Sequence, residues 1–256
     1  MLQSKDINKI SELKNGFTPR WLEPDFILSS LKSFSFSSVC KCLAPLKQRG
    51  YSFELIFSCL ISLPFLGLKS VHSFSGSTMA DHIKARKDVF YRLKNNTSIC
   101  WRMILWLFSM KAIKLAASHG ERANGFLKWL VLDDSLLLKT GRYIENISRM
   151  FDHVSKHFLL GYKLLVMGYW DGGVFLPLDF SLHREKGSNK DKPYGLKKKE
   201  YRKQYKKKRE NGTHSWDRSR EADMSKIESA LKMFWRASSQ GDEVDYLVMD
   251  SWVTCE

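Results

Sequence analysis

Two apolar runs in the second half of the chain each end in carboxylates. Residues 128–135, KWLVLDDS, lead from an apolar run directly into Asp133 and Asp134. Residues 244–252, VDYLVMDSW, repeat the pattern and reach Asp250. A carboxylate at the end of a buried strand loses hydration and repels a neighbouring acid unless a cation offsets both effects. The pattern therefore predicts strands whose acids meet a metal ion or a basic side chain, or lie exposed at the strand end.

The segments between these two runs predict more of a sheet. LLGYKLLVMGYW (159–170) and VFLPLDFSL (174–182) are typical of strands, and the DGG between them is a hairpin turn signal. We therefore expect an antiparallel pair. The preceding residues 139–158 are polar with scattered apolar positions, which indicates a loop or an irregular segment.

A helix is predicted between the third and fourth strands, over residues 219–241, with Ile227, Leu231, Phe234 and Trp235 on its apolar stripe. Such a helix is what a crossover to a parallel neighbour requires. The first and fourth strands are therefore predicted to be parallel neighbours in a mixed sheet with helices on its faces. Their acids would then emerge at one edge of the sheet, where α/β folds bind ligands.

Residues 1–125 are predicted to be helical, because no strand-like alternation is present. The most apolar stretch, residues 53–68, contains Glu54 and Pro64 and is shorter than the roughly 20 clean residues of a membrane span. It is predicted to be a buried helix of a soluble protein. Residues 97–120 carry a Met and aromatic stripe at helical spacing, which is typical of a core helix.

The net charge of +15 predicts a polyanionic partner, either nucleic acid or an anionic membrane surface. Residues 183–220, here called the basic segment, hold fifteen Lys and Arg against five Asp and Glu. Tyrosines interleave with these cations, so we expect a surface that contacts phosphates; the alternative is a solvated helix or loop. The candidate phosphate-binding residues are Arg184, Lys186, Lys197, Lys198, Lys199, Arg202, Lys203, Lys206, Lys207, Lys208 and Arg209.

The five cysteines form an odd set without a disulfide framework, and the CKC pair lacks a second metal-binding pair. Reduced thiols in a cytoplasmic protein fit this usage. Nucleotide-binding glycine motifs and Ser-His-Asp patterns are absent from the sequence, which gives no support to nucleotide-cofactor or acyl-transfer enzymes. His153 and His183 are more typical of satisfied polar residues than of metal ligands.

Four stretches together resemble the DDE transposases of bacterial insertion sequences: LVLDDSLLLKTG, ISRMFDHVSKHFLLGYKLL, DGGVFLPLDFSLHRE and YLVMDSW. The resemblance covers roughly residues 80–256, and its most specific parts are LDDS, PLDFSLHREKG and MDSW. It implies an α/β fold with a helical, DNA-binding region over residues 1–125. An incomplete ribonuclease H-like mixed sheet with flanking helices would follow over 126–256, as a partial catalytic domain.

In that family the first catalytic Asp ends the first core strand, and the second ends the fourth. The matching positions are Asp133 or Asp134, and Asp250. The family's Asp-x-Thr pattern resembles Asp133–Asp134–Ser135 and favours Asp133, whereas alignment on Asp-Thr favours Asp134, so both stay candidates. The resemblance implies that these acids bind Mg²⁺ or Mn²⁺ for displacement at phosphorus, one acid bridging two ions.

The family's third acid, a Glu, lies on a helix beyond a fifth core strand. Glu256 follows Asp250 by only six residues and is too close to fill that position. The resemblance therefore implies a truncated transposase that cleaves and transfers strands of an insertion sequence in its full-length form and cleaves poorly by itself. The alternative is a non-catalytic DNA-binding or inhibitory fragment.

The partners that the resemblance implies are double-stranded DNA, as transposon ends and as target, and a second copy of the chain in a synaptic homodimer. The expected location is the bacterial cytoplasm, in association with the nucleoid.

Overall fold

The contacts divide the chain into two units, residues 1–96 and 97–256. The computed structural model describes residues 34, 36–43, 50–76, 80, 83, 85–118, 127–239 and 244–250. The boundary predicted at residues 125 and 126 lies outside the described residues. The helix predicted over 97–120 belongs to the same unit as the sheet.

The first unit contains four described helices around an aromatic core. They are α1 (Phe36–Leu43), α2 (Phe53–Phe65), α3 (Val71–Ser75) and α4 (Lys87–Lys94). Ser52 caps α2 by accepting a hydrogen bond from the Leu55 backbone N–H. The buried rings of the core are Phe36, Phe53, Phe57, Phe74 and Phe90. Among the described residues, helices with the length and apolar character of a membrane span are absent.

The second unit is built on a five-stranded mixed sheet, which confirms the predicted α/β class. Its strands are β1 (Trp129–Leu138), β2 (Ser148–Asp152), β3 (His157–Trp170), β4 (Phe175–His183) and β5 (Tyr246–Met249). The long strand β3 pairs antiparallel with β1, β2 and β4. Strand β5 pairs with β1 in parallel, as the two acid-terminated runs predicted.

Strand β2 corrects the prediction of a loop or irregular segment over residues 139–158. Ser148–Asp152 pair with His157–Gly161 in a tight hairpin. The Asp152 carboxylate accepts hydrogen bonds from the Val154 and Ser155 backbone N–H groups, and Lys156 takes a positive φ of 58°. Pairing with β3 stabilises this strand. The sequence pattern did not indicate it, because polar residues interrupt its apolar positions.

Helices α5 (Trp101–Ser118) and α8 (Lys226–Ser239) pack on one face of the sheet. Trp106 of α5 is buried there, as the apolar stripe predicted, whereas Met103 remains half exposed. The core on this face comprises Trp106, Ile113, Leu130, Leu132, Leu165, Met167, Tyr169, Leu178, Met233 and Ala237. The short helices α6 (Lys198–Arg202) and α7 (His214–Glu221) lie within the basic segment.

The predicted apolar stripe of α8 is wrong for three of its four residues. Ile227, Leu231 and Trp235 are exposed, whereas Phe234 packs against the core. The side of α8 that faces the sheet carries apolar residues at helical spacing, which are Ala230, Met233, Phe234 and Ala237. Lys226 is also buried, and its ammonium forms an ion pair with Asp134 of β1.

A buried ion-pair network joins the helices to β4. The Asp179 carboxylate, on the helix-covered face of β4, lies 3.0 Å from Arg102 Nε of α5 and 2.7 Å from Arg236 Nε of α8. Arg102 also donates to the Glu221 carboxylate of α7, with Nη1 at 2.8 Å, and to the Phe180 carbonyl. Each buried charge of this network thus has a partner of opposite sign, which burial requires.

We predict that Gly161→Ala destabilises the sheet. Gly161 is buried where β3 pairs with both Leu138 of β1 and Ser148 of β2. A Cβ at this position would lie 2.3 Å from the Leu137 backbone oxygen, so a strand would have to shift. We expect a loss of about 2–3 kcal/mol in the free energy of unfolding, measured by urea denaturation.

The matched control is Gly173→Ala in the β3–β4 turn, where the nearest atom would be 3.9 Å from the added Cβ. This variant should stay within about 0.5 kcal/mol of the parent protein. Equal stability of the two variants would contradict the close approach of β1 to β3.

Candidate active site

The prediction that the first strand ends at the acid doublet is wrong. β1 continues through Asp133 and Asp134 to Leu138, because its pairing with β3 extends over this whole length.

The acid doublet of β1 is divided between the two faces of the sheet. Successive strand residues point to opposite faces. Asp134 therefore lies on the face of Leu130 and Leu132, which carries α5 and α8, and its carboxylate is 3.2 Å from Lys226 Nζ. Asp133 is exposed, and its carboxylate accepts a hydrogen bond of 2.8 Å from the Asp134 backbone N–H.

Asp250 follows directly after β5. The last pair of the parallel register is Leu132 with Met249, so Asp133 and Asp250 are the next residues along the two segments. Residues in register on neighbouring parallel strands project to one face and lie about 4.8 Å apart. Both acids are exposed. Extended by one residue, the register predicts that Asp133 and Asp250 lie side by side, with Asp134 on the opposite face.

Asp133 and Asp250 offer the oxygen donors that Mg²⁺ and Mn²⁺ prefer. Magnesium commonly keeps several waters and is held by one or two carboxylates together with substrate phosphates. Within the described part of the chain, no group of three or more His, Cys, Asp and Glu side chains is arranged to hold a metal ion. The two-acid pair therefore suits a cation that completes its coordination with water and phosphate.

The basic segment is ordered by contacts with the loop that follows β1. Leu196 is buried, and Gln204 donates a hydrogen bond of 2.8 Å to the Ile147 carbonyl. The Tyr205 backbone N–H donates to the Tyr143 carbonyl at 2.8 Å. These contacts hold the densest run of lysines against the sheet, in contrast to a solvated loop.

The packing of the basic segment identifies the face of the sheet on which it lies. Leu196 and Tyr201 form a cluster with Leu137 of β1. Leu137 and Asp133 are four positions apart on one strand, so their side chains project to the same face. The part of the basic segment around Leu196 and Tyr201 therefore packs on the face that carries Asp133, beyond the position of that acid toward the carboxyl end of β1.

Two of the predicted phosphate-binding cations are committed to internal ion pairs. Arg184 Nε lies 2.7 Å from the Asp223 carboxylate, and the guanidinium stacks on Tyr194 at 4.0 Å from the ring centroid. Arg209 pairs with Glu145, with Nη1 at 2.7 Å. Both arginines position the segment, because each neutralises an acid that is itself held by the fold.

The other predicted cations are presented to solvent. Lys198 is exposed and pairs with the equally exposed Asp191 at 2.8 Å, and Lys207 is half-buried. The exposed remainder comprises Lys186, Lys197, Lys199, Arg202, Lys203, Lys206 and Lys208. This group is the cationic surface that a polyanion can reach.

The pKa values of the anchoring acids are shifted by these pairs. A hydrogen bond from Arg184 lowers the pKa of Asp223, against the opposing effect of burial. For Glu145, burial raises the pKa, but the hydrogen bonds from Arg209 and from the Lys207 backbone N–H outweigh it, so the net pKa is lowered. Both acids are therefore charged at neutral pH and bind their arginines.

His183 is a structural residue of the helix-covered face. Its ring is buried, with Nε2 at 2.7 Å from Ser181 Oγ and Nδ1 at 3.2 Å from the Met224 carbonyl. These two contacts satisfy both ring nitrogens, as the sequence pattern predicted.

Two ion-pair residues could not be identified from the sequence pattern alone. The sequence around Lys226 predicts a helix, but nothing in it indicates Asp134 as the partner of this lysine. Asp179 lies in a predicted strand, where an acid inside the apolar run PLDF indicates a buried cation nearby; Arg102 and Arg236 supply that charge.

Comparison of the chain with protein-family models, with curated proteins and with solved structures finds no match. The geometry of the acid pair and of the basic segment is therefore what bears on function.

We predict that Glu145→Gln loosens the basic segment in a pH-dependent manner. The folded pKa of Glu145 is lowered, so its ion pair stabilises the protein fully above the ordinary pKa near 4.5 and is lost as pH falls through the folded value. At pH 7 the variant leaves Arg209 without its charged partner, at a cost of roughly 2 kcal/mol. Thermal melting between pH 7 and pH 3 should show a deficit that shrinks with acidification.

The matched control is Glu210→Gln, which removes the same charge from an exposed residue of the basic segment. Its melting temperature should follow the parent protein at every pH. A deficit of Glu145→Gln that stays constant down to pH 3 would contradict the role of the ionised pair.

Proposed function

We propose that this chain is a DNA transposase polypeptide of the DDE class, with a ribonuclease H-like core in which Asp133 and Asp250 supply two metal-binding carboxylates. The observation that carries the proposal is the parallel register of β1 and β5, whose last pair, Leu132 with Met249, immediately precedes Asp133 and Asp250. The resemblance of LDDS and MDSW to the family's motifs supports the same two residues.

The strand order supports the ribonuclease H-like part of the proposal. Strands β1, β3 and β4 form an antiparallel group, and β5 joins β1 in parallel after the helix α8. The resemblance implies this order, with the first catalytic acid at the end of the first strand and the second at the end of the parallel strand. β1 departs from it in continuing past Asp133 to Leu138.

The two acids have the chemistry that strand cleavage requires. A divalent cation bound there would neutralise charge on a phosphate and lower the pKa of a bound water. Asp133 and Asp250 would hold that cation, and each carboxylate would fix its position relative to a phosphodiester. Asp134 contributes to stability in this scheme, because its carboxylate is paired with Lys226.

The cationic surface supports DNA as the substrate. The exposed lysines and Arg202 lie on a segment that packs on the same face as Asp133. Contacts of this kind with phosphates provide affinity and orientation and carry little sequence information. A duplex held by this surface would pass along the face on which the acid pair lies.

A second candidate function is DNA binding without catalysis. The contacts that anchor the basic segment favour this alternative. Glu145, Leu196 and Gln204 hold the segment in place, and none of their contacts involves the acid pair. On this alternative the chain would occupy DNA and compete with an active transposase.

The metal part of the proposal is tested by substituting each acid singly with Asn. We expect Asp133→Asn and Asp250→Asn to weaken Mn²⁺ binding at least about tenfold, measured by calorimetry, because each removes a charged ligand. Asp134→Asn is the matched control, since it alters the neighbouring acid on the other face. It should leave Mn²⁺ affinity within about twofold and lower stability by roughly 2 kcal/mol, because Lys226 loses its ionised partner.

Equal Mn²⁺ affinity in the parent protein and in Asp133→Asn and Asp250→Asn would contradict the metal site. A loss confined to Asp134→Asn would move the site to the helix-covered face. Intact DNA binding by both Asp133→Asn and Asp250→Asn, without any metal dependence, would favour the second candidate function.

The DNA part of the proposal is tested by the double substitution Lys203→Gln with Lys208→Gln. Each phosphate contact contributes about 0.9 to the slope of log affinity against log salt concentration. We expect this slope to fall by roughly 2 in gel shifts with duplex DNA. The control, Lys114→Gln with Lys232→Gln, removes the same charge from exposed positions of α5 and α8. An equal change in both double variants would show that net charge alone drives binding.

A further inference from the structure

Arg218 of α7 lines two cavities of the second unit. The larger cavity has a volume of about 870 Å³ and is lined by α5, β4, α7 and α8. The smaller one measures about 220 Å³ and includes residues of the loop after β1. Both cavities are partly open to solvent.

Arg218 has no hydrogen-bond or ion-pair partner among the residues that the structure describes, and its Nε is buried without one. Two neighbouring arginines are paired with acids. Arg102 binds Glu221 and Asp179, and Arg209 binds Glu145. Arg218 differs from both because no acid binds its guanidinium.

Four acids of the larger cavity are already paired with other cations. Glu221, one turn away on α7, receives both Nη groups of Arg102. Asp179 receives Arg102 and Arg236. Asp223 binds Arg184, and Glu228 binds Lys232. Asp217 also lines the cavity, but it is exposed and forms no ion pair with Arg218.

A guanidinium stays protonated in proteins, so Arg218 cannot lose its charge to avoid burial. Burial, followed by the charge of Arg102, lowers the pKa of Arg218, which reflects the unfavourable setting of this cation. The remaining way to offset a buried charge is an anion from outside the chain. The cavity that Arg218 borders has room for such a ligand.

We propose that Arg218 binds a phosphate group within this cavity. The planar guanidinium donates two parallel hydrogen bonds that match phosphate oxygens. Arg220 lines the same cavity and adds positive charge, with its guanidinium over the Trp216 ring at 4.6 Å. Lys232 also lines the cavity, but its ammonium is paired with Glu228 at 3.2 Å. The phosphate can belong to free phosphate, to a nucleotide or to a nucleic acid strand.

This site is separate from the acid pair. Met167 and Asp179, which line the cavity, lie on the helix-covered face, whereas Asp133 projects to the other face. Phosphate binding at Arg218 therefore does not depend on the proposed transposase chemistry, and either can fail while the other holds.

The test measures the melting temperature of the full chain in sodium chloride and in sodium phosphate of equal ionic strength. Saturating phosphate should raise the melting temperature of the parent protein by roughly 5 °C. Arg218→Gln should lose this rise. It should be at least as stable as the parent in chloride, because it removes an uncompensated buried charge. Lys232→Gln, the matched control from the same cavity, should keep most of the rise.

The variant Arg218→Lys tests the same proposal if Arg218→Gln does not fold. Arg218→Lys retains the charge but lacks the planar fork, so its phosphate-dependent rise should be less than half that of the parent protein. An equal rise in the parent, Arg218→Lys and Lys232→Gln would overturn the proposal, as would no rise in the parent. An equal rise with acetate would overturn the assignment to phosphate.

Titrations with three probes distinguish the possible sources of the phosphate group. The probes are inorganic phosphate, deoxyadenosine monophosphate and a single-stranded oligonucleotide of twelve nucleotides. Binding of the oligonucleotide at least tenfold tighter than the mononucleotide, lost in Arg218→Gln, assigns the site to a nucleic acid strand. Equal affinity for all three, also lost in Arg218→Gln, assigns it to a free phosphate group. Binding that survives Arg218→Gln for every probe overturns the site.

Discussion

The pairing of β1 with β3 and β5 is the constraint on which the candidate site depends. Because side chains alternate along a strand, this pairing sends Asp133 and Asp134 to opposite faces. The last pair of β1 with β5, Leu132 with Met249, immediately precedes Asp133 and Asp250. A slip of one residue in β1 would reverse both assignments and would bury Asp133 against the helices. The buried side chains of Leu130 and Leu132 oppose such a slip, since they would be moved out of the core.

Electrostatic pairing gives the two faces of the sheet different roles. On the helix-covered face, Asp179 binds Arg102 of α5 and Arg236 of α8, and Arg102 binds Glu221 of α7, so this network ties three helices to β4. On the other face, the ion pair of Arg209 with Glu145 orders a segment whose remaining cations face solvent. The basic segment therefore contains two groups of cations. Its buried arginines hold the segment in place, and its exposed lysines face solvent.

Much of the sheet could be predicted from the sequence, since β1, β3, β4 and β5 are apolar runs bounded by turn residues. Strand β2 could not, because its polar residues reach strand conformation only through pairing with β3. The orientation of α8 could not be predicted either, because the helix has apolar residues on two sides. The side with Met233 and Ala237 packs on the sheet, whereas Leu231 and Trp235 are exposed. Contacts between residues far apart in the chain decided both features.

The sequence by itself determined that acids end two apolar runs, that the strands formed by these runs are parallel neighbours, and that a strongly cationic segment lies between them. These are properties of local pattern and chain order. Only the tertiary structure decided that β1 continues through the doublet and which acid of the doublet binds Lys226. It also decided which arginines form internal ion pairs, and that Arg218 has no such partner among the described residues. The physical reason is that burial and charge neutralisation depend on residues far apart in the chain, which no local pattern encodes.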